Sequence, residues 1–191
     1  MTVRATLFCE DAAHESWARA LVGQIGANEE TEVSLSVGSA RFGVGRLKKE
    51  LRAFDRLLEA TGGRPDLLVV LIDANTVGDQ ARRQEISEAI SSEDYPALVV
   101  GVPDPAIETW YLADPEGFHK TFGVTPNANL EPKASLVDAL ERAGEVVLSG
   151  GEEFAEEIVG GMRLYQAGRR ERSLKRFIDE LRAALRQLSA T

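Results

Sequence analysis

Side chains that could bind a divalent cation follow two predicted strands. Glu10 comes directly after the alternating apolar pattern of residues 3–9. Asp73 and Asn75 follow six consecutive apolar residues, 67–72, which predict a strand buried on both faces of a parallel sheet. Ligands of such sheets bind beyond the carboxyl ends of the strands, and residues two apart in extended chain point the same way. Because converging carboxylates repel one another unless a cation or a proton lies between them, we predict a divalent metal site formed by Glu10, Asp73 and Asn75.

Glu15 lies about one turn into the first predicted helix and could reach the same place. The alternative interpretation is that Asp11 is the N-cap of this helix and Glu15 an exposed acid of its first turn. His14 and His119 are too few and too far apart to predict a zinc site. No Ser-His-Asp arrangement or nucleophile motif is present, so covalent nucleophilic catalysis is not expected.

Strand and helix patterns alternate through residues 1–103. Helical apolar spacing over 12–25, 47–58 and 79–91 separates strand patterns at 3–9, 33–37, 67–72 and 96–102. This order predicts right-handed crossovers and an α/β fold with a doubly wound, mainly parallel sheet. Strands one and three are normally neighbours in such a sheet, so we expect Glu10 and Asp73 to meet.

Residues 104–191 are mostly helical in pattern and strongly charged, which predicts a helical C-terminal extension packed on the 1–103 core. The predicted helices lie within 107–114, after Pro132, within 154–162, and over 173–188. Residues 145–148 fit either a fifth strand or a helix. The eight basic residues from Arg163 onward could form a phosphate-facing patch, although a solvated helix face is the commoner meaning of such a run.

Three short motifs resemble one family. They are Cys9-Glu10-Asp11 through Glu15, Asp73-Ala74-Asn75, and the stretch 107–114, Ile-Glu-Thr-Trp-Tyr-Leu-Ala-Asp. Together they resemble the Toprim-type domains of small bacterial proteins related to the overcoming-lysogenization-defect (OLD-family) nucleases. Toprim domains take a glutamate after the first strand and an Asp-x-Asp after the third as metal ligands for phosphodiester cleavage or transfer. The resemblance covers most of the chain and implies a Toprim/Rossmann-like fold.

The resemblance also implies roles for two residues outside the strand ends. Glu108 would be a further acidic residue that binds metal or positions water, and Lys133 would stabilise charge on a phosphoryl group. Without the resemblance, Glu108 is a helix-surface acid and Lys133 an ordinary first-turn residue. The chain departs from the family pattern at Asp11, where glycine is usual, and at Asn75, which replaces the second aspartate. The latter change removes a negative charge from the site and weakens ion binding.

The function that this resemblance implies is a Mg²⁺- or Mn²⁺-dependent phosphodiesterase, a Toprim-type nuclease that acts in phage defence. Two alternatives remain open. One is a non-catalytic interaction protein that binds a partner through its C-terminal helix. The other is a receiver-like signalling domain, which also places acids after strand one and an aspartate after strand three. The receiver interpretation lacks the expected threonine after strand four and lysine after strand five.

Composition bears on partners and location. The net charge of −9 disfavours nonspecific affinity for a polyanion, and no ATP-binding motif is present. We therefore expect nucleic acid to bind weakly to the chain alone, and the resemblance implies an ATPase partner that grips it. The glycine-rich stretch 38–46 could bind phosphate at a helix N-terminus with Arg41 and Arg46, or could be a structural loop. The lack of a secretory signal pattern and the single cysteine favour a cytoplasmic protein.

Overall fold

The structure, a computed structural model, describes residues 2–39, 43–90 and 95–190. Within them, one parallel sheet has the strand order β2-β1-β3-β4. The strands are β1 (Thr2–Cys9), β2 (Glu32–Ser39), β3 (Leu67–Leu71) and β4 (Leu98–Gly101). Helices cover both faces, so the predicted α/β, doubly wound parallel fold is confirmed.

Nine α-helices occur in the described residues. Those that connect the strands are α1 (Ala12–Asn28), α2 (Gly43–Thr61) and α3 (Asp79–Ser87). Those that follow β4 are α4 (Glu108–Tyr111), α5 (Pro115–Phe122), α6 (Pro132–Arg142), α7 (Ala155–Gly161), α8 (Leu164–Arg170) and α9 (Arg172–Ser189), with a 3₁₀ turn at Glu152–Phe154. Over the ranges that the structure describes, no helix combines the length and the apolar character needed to cross a membrane.

Several predicted boundaries are wrong, and α1, for example, continues to Asn28 instead of ending at 25. β4 is shorter than the predicted 96–102 because Pro96 and Pro103, which cannot donate ladder hydrogen bonds, flank it. Helix α3 ends at Ser87 instead of continuing to 91, a residue that lies outside the described ranges. Residues 145–148, which the sequence left open, form neither strand nor helix.

The alternation of side chains along β3 divides the core into two layers. Leu67, Val69 and Leu71 face the layer that contains α1, α9 and the other helices after β4. Leu68 and Val70 face the opposite layer, which contains α2 and α3. All five side chains are fully buried, as the period of two and the continuous apolar run predict for a central parallel strand.

An aromatic cluster joins the helical segment to the sheet layer. The ring of Trp110 in α4 lies 4.9 Å from that of Trp17 in α1 and 5.3 Å from that of Phe177 in α9. The indole nitrogen of Trp110 donates to Ser173 Oγ at 2.7 Å, so its polar atom is satisfied although the residue is fully buried. The helices after β4 thus complete one face of the sheet and lie beside the start of α1.

Candidate metal centre

The ends of β1 and β3 meet at the carboxyl edge of the sheet. Cys9 pairs with Leu71 in the parallel register, so Glu10 and Ile72 are the next residues on the two neighbouring strands. The backbone N–H of Asp73 donates to Glu10 Oε2 at 3.3 Å. In the order β2-β1-β3-β4 the chain first moves to one side of β1 and then to the other, and ligands of open α/β sheets bind at such a switch point.

His14 lies between the acids of this edge. Asp11 is the N-cap of α1, and its Oδ1 accepts from the backbone N–H of His14 at 3.1 Å. The imidazole is fully buried, with Nδ1 2.6 Å from Asp11 Oδ1 and Nε2 2.9 Å from Asp73 Oδ1. One donor atom from each of Glu10, His14 and Asp73 lies within 4.8 Å of the others. We call these three residues the metal-binding group.

The position of His14 between two carboxylates favours a positive charge on its ring. Ionised carboxylates only accept hydrogen bonds, so contacts from both ring nitrogens require a doubly protonated imidazole when no metal is bound. Burial opposes the charged form of His14, but hydrogen bonds to Asp11 and Asp73 outweigh it and raise the pKa of the imidazole to about 9. Burial and the charge of Asp73 also raise the pKa of Glu10. A proton on His14 or a divalent cation can each offset the converging negative charge.

The donor atoms fit a divalent cation. Two carboxylates and an imidazole are ordinary ligands of divalent metals in proteins. His14 Nε2 and Asp73 Oδ1 are hydrogen-bond partners at 2.9 Å, so an ion bound between them would replace this hydrogen bond and displace its proton. The structure therefore contains, at the predicted edge, a group of two predicted acids and one histidine that could hold a metal ion.

Two other predicted ligands occupy different surroundings. Glu15 forms an ion pair with Arg19 at 2.8 Å and is not one of the three residues of the metal-binding group. Asn75 is exposed, with a φ of 51°, and its backbone N–H donates to Pro105 O at 2.8 Å. The extended-chain argument that aligned Asn75 with Asp73 does not apply to this conformation. Metal roles for Glu15 and Asn75 stay predictions.

A second set of charges lies beside the metal-binding group, around Glu152 of the 3₁₀ turn. Burial and the charges of Asp11 and Glu108 raise the pKa of Glu152, whereas Lys133 lowers it. The side chain of Lys133 also passes Gly150, where a Cβ would lie 3.5 Å from Lys133 Cε. The structure thus brings Glu108 and Lys133 into one electrostatic neighbourhood with Asp11, and their catalytic roles stay predictions. No motif pointed to Glu152.

His14 was not among the predicted ligands, because two distant histidines, His14 and His119, do not predict a zinc site. His119 lies on α5, where its ring contacts Thr125 Oγ1 at 3.4 Å. A usable signal was present, since His14 stands four residues after Glu10 and three after the N-cap Asp11. Side chains at this position of a helix turn back toward the cap, here toward the strand end.

The proposed phosphate contact of stretch 38–46 falls partly on residues 40–42, which include Arg41 and lie outside the described ranges. Arg46 in α2 pairs with Glu50 at 2.8 Å. A phosphate role for this stretch stays a prediction.

Comparisons with known proteins do not bear on this edge of the sheet. Comparisons with protein-family models, with curated proteins and with solved structures find no match for the chain.

Proposed function

We propose that this protein is a divalent-metal-dependent phosphodiesterase of the Toprim kind that cleaves nucleic acid. The observation that carries the proposal is the convergence of Glu10, His14 and Asp73 at the switch point of the sheet, with donor atoms within 4.8 Å of one another. A divalent ion held there would supply Lewis-acid stabilisation of a phosphoryl oxygen and an activated water. The sequence expectation of Mg²⁺ or Mn²⁺ is retained as part of the proposal.

The proposal gives Lys133 and Glu108 the roles at a phosphoryl substrate that the resemblance implies. The charge of Lys133 lowers the pKa of Glu152, whereas the charges of Asp11 and Glu108 raise it. A cation in this position could stabilise charge that develops on a phosphate. Glu108 shares the neighbourhood and could orient water or a second cation.

The chain is expected to work with a partner. Its net charge of −9 opposes the binding of a polyanion, and the OLD-family resemblance associates such nuclease domains with an ATPase. We propose that an ATPase partner grips the nucleic acid and that the pair acts against phage.

Cleavage assays with matched variants test the proposal. Single- and double-stranded DNA and RNA are incubated with Mn²⁺ and the protein, Glu10→Gln, Asp73→Asn or Asp66→Asn. Asp66 is the control because it precedes β3 at the opposite edge and pairs with Arg4 at 2.9 Å. We expect the two site variants to lose cleavage by at least about 100-fold, as for removal of an interaction made in the transition state. Equal rates in all four proteins, or no cleavage with the ATPase present, would reject it.

A receiver-like phosphoacceptor is the second candidate, and the sheet order favours it. The order β2-β1-β3-β4 occurs in doubly wound receiver domains as well, and Asp73 follows β3. Incubation with acetyl phosphate and Mg²⁺ distinguishes the two functions. A receiver gains one phosphoryl group that Asp73→Asn cannot accept, whereas a phosphodiesterase keeps its mass.

A further inference from the structure

His14 changes the donor chemistry of the candidate metal centre. Mg²⁺ takes oxygen ligands, whereas divalent ions of the first transition row also accept imidazole nitrogen. We propose that the metal-binding group selects a first-row divalent transition ion over Mg²⁺ through Nε2 of His14. The inference rests on the proposed metal role of the site and specifies which ion it takes.

Asp11 determines which imidazole nitrogen faces the site. Its Oδ1 accepts from both the backbone N–H of His14, at 3.1 Å, and ring Nδ1, at 2.6 Å. Nε2 is therefore the nitrogen that points to Asp73. A carboxylate behind a metal-binding histidine fixes the ring and raises its basicity, and its loss typically lowers metal affinity about 10- to 100-fold.

The backbone around His14 is anchored before any ion binds. Tyr111 in α4 donates its hydroxyl to Ala13 O at 2.9 Å, which fixes the start of α1 against the helical layer. The imidazole itself has no exposed surface. These neighbours fix the orientation of the ring, and a bound ion would take the place of the Nε2 proton that lies between the ring and Asp73.

The chemistry of the donors decides which ions are tested. Two carboxylates and one imidazole nitrogen suit Mn²⁺ and Co²⁺, which accept both oxygen and nitrogen ligands. Mn²⁺ and Co²⁺ are therefore the probes of choice.

Calorimetric titration of Mn²⁺, Co²⁺ and Mg²⁺ measures the selectivity. We expect Mn²⁺ and Co²⁺ to bind at least about 10-fold more tightly than Mg²⁺. His14→Gln replaces the nitrogen donor by an oxygen donor and should bring the ratio of Mn²⁺ to Mg²⁺ affinity close to one. Asp11→Asn retains a good helix cap and should lower Mn²⁺ affinity about 10- to 100-fold. His119→Gln, at an exposed histidine of α5, is the matched control and should change neither value.

Pulsed electron paramagnetic resonance of Mn²⁺ bound to the unmodified protein detects the ligand nitrogen directly. It requires neither enzymatic activity nor a folded His14→Gln variant. Nitrogen hyperfine coupling in the unmodified protein is the expected result. Bound Mn²⁺ without this coupling, or Mg²⁺ bound as tightly as Mn²⁺, overturns the inference and leaves the phosphodiesterase proposal standing. Nitrogen coupling without cleavage rejects the phosphodiesterase and supports the inference. No binding of any of the three ions overturns both.

Discussion

Arg82 is a buried cation that contacts the backbone of a candidate metal ligand. It lies on α3 and is 6% exposed. Its Nε donates to Asp73 O at 3.1 Å, and its Nη1 donates to Glu85 Oε2 at 2.8 Å. The backbone N–H of Asp73 is held in turn by Glu10. Arg82 thus fixes the peptide of Asp73 without being one of the candidate ligands.

Replacing Arg82 should weaken metal binding. We expect Arg82→Gln to lower Mn²⁺ affinity about 10-fold, at the low end of effects reported for groups behind metal ligands. The control is Arg83→Gln on the same helix, since Arg83 pairs with Asp79 and Glu180 and not with Asp73. It should lower the melting temperature and leave affinity unchanged. Calorimetric titration below both melting temperatures measures the effect, and equal losses of affinity would contradict a positioning role.

Individual site residues differed in how far the sequence could predict them. Glu10 and Asp73 were predictable because each follows a strand whose end must reach the same edge. His14 and Arg82 belong to helices, and their contacts depend on how α1 and α3 pack against that edge. Helical periodicity shows which face of a helix is buried, but it does not show which buried polar group meets which neighbour.

The contact between β4 and α9 depends on a glycine. A Cβ at Gly101 would lie 2.5 Å from Leu71 Cδ1 and 2.8 Å from Phe177 Cδ2. We expect Gly101→Ala to lower the free energy of unfolding by about 1–3 kcal/mol, as overpacking of a core does. Gly23→Ala is the control because Gly23 is exposed within α1 and has nothing within 4 Å. It should raise stability by about 0.4–1 kcal/mol. Urea unfolding gives both values, and a neutral Gly101→Ala would contradict the packing.

An ion pair between a buried carboxylate and a half-exposed guanidinium connects α5 to the start of α8. Asp114 is 2% exposed and precedes α5, and Arg163 precedes α8. The guanidinium binds both carboxylate oxygens, with Nη2 at 2.7 Å and Nε at 2.9 Å. Burial opposes ionisation of Asp114, but the hydrogen bonds from Arg163 outweigh it and lower the carboxyl pKa from 3.8 to about 2.

This depressed pKa predicts the direction of a pH effect. Since the folded-state value lies below the ordinary one, Asp114 stabilises the fold above 3.8, and the contribution is lost as pH falls through about 2. The difference in unfolding free energy between the protein and Asp114→Asn should therefore shrink on acidification. Urea unfolding at a series of pH values measures it. Asp138→Asn, at a surface pair with Arg142, should show little difference at any pH. A constant Asp114→Asn difference would contradict the prediction.

Patterns predicted the strands and the long helices better than the short ones. The regular apolar stripe of α9 gave its range to within one residue at each end. The short helices α5 and α8 have too few turns for a periodic signal and were not predicted. Residues 145–148 could not be assigned from their pattern, because Val146 and Leu148 are apolar but 74% and 83% exposed.

The charge distribution of the whole chain bears on how it meets nucleic acid. The basic C-terminal run is largely paired with acids from other helices and loops, with Arg163 on Asp114, Arg176 on Asp79 and Arg186 on Glu29. These arginines bind the C-terminal helices to the rest of the chain. They are therefore less available to a phosphate backbone than the sequence alone would suggest.

The isolated protein should consequently bind DNA weakly, with a dissociation constant above about 10 µM at physiological salt, and with a shallow salt dependence.

Glu29 is the critical acid because Arg182 and Arg186 both face it, at 3.7 and 2.6 Å. Glu29→Gln releases both guanidinium groups, so it should bind DNA more tightly and with a steeper salt slope than Glu30→Gln, which changes the net charge equally. Fluorescence anisotropy with a labelled oligonucleotide in EDTA separates this effect from metal binding. Equal DNA affinity of the two variants would contradict the idea that pairing with Glu29 keeps these arginines from binding DNA. Submicromolar binding by the unmodified chain would remove the need for a partner that grips the substrate.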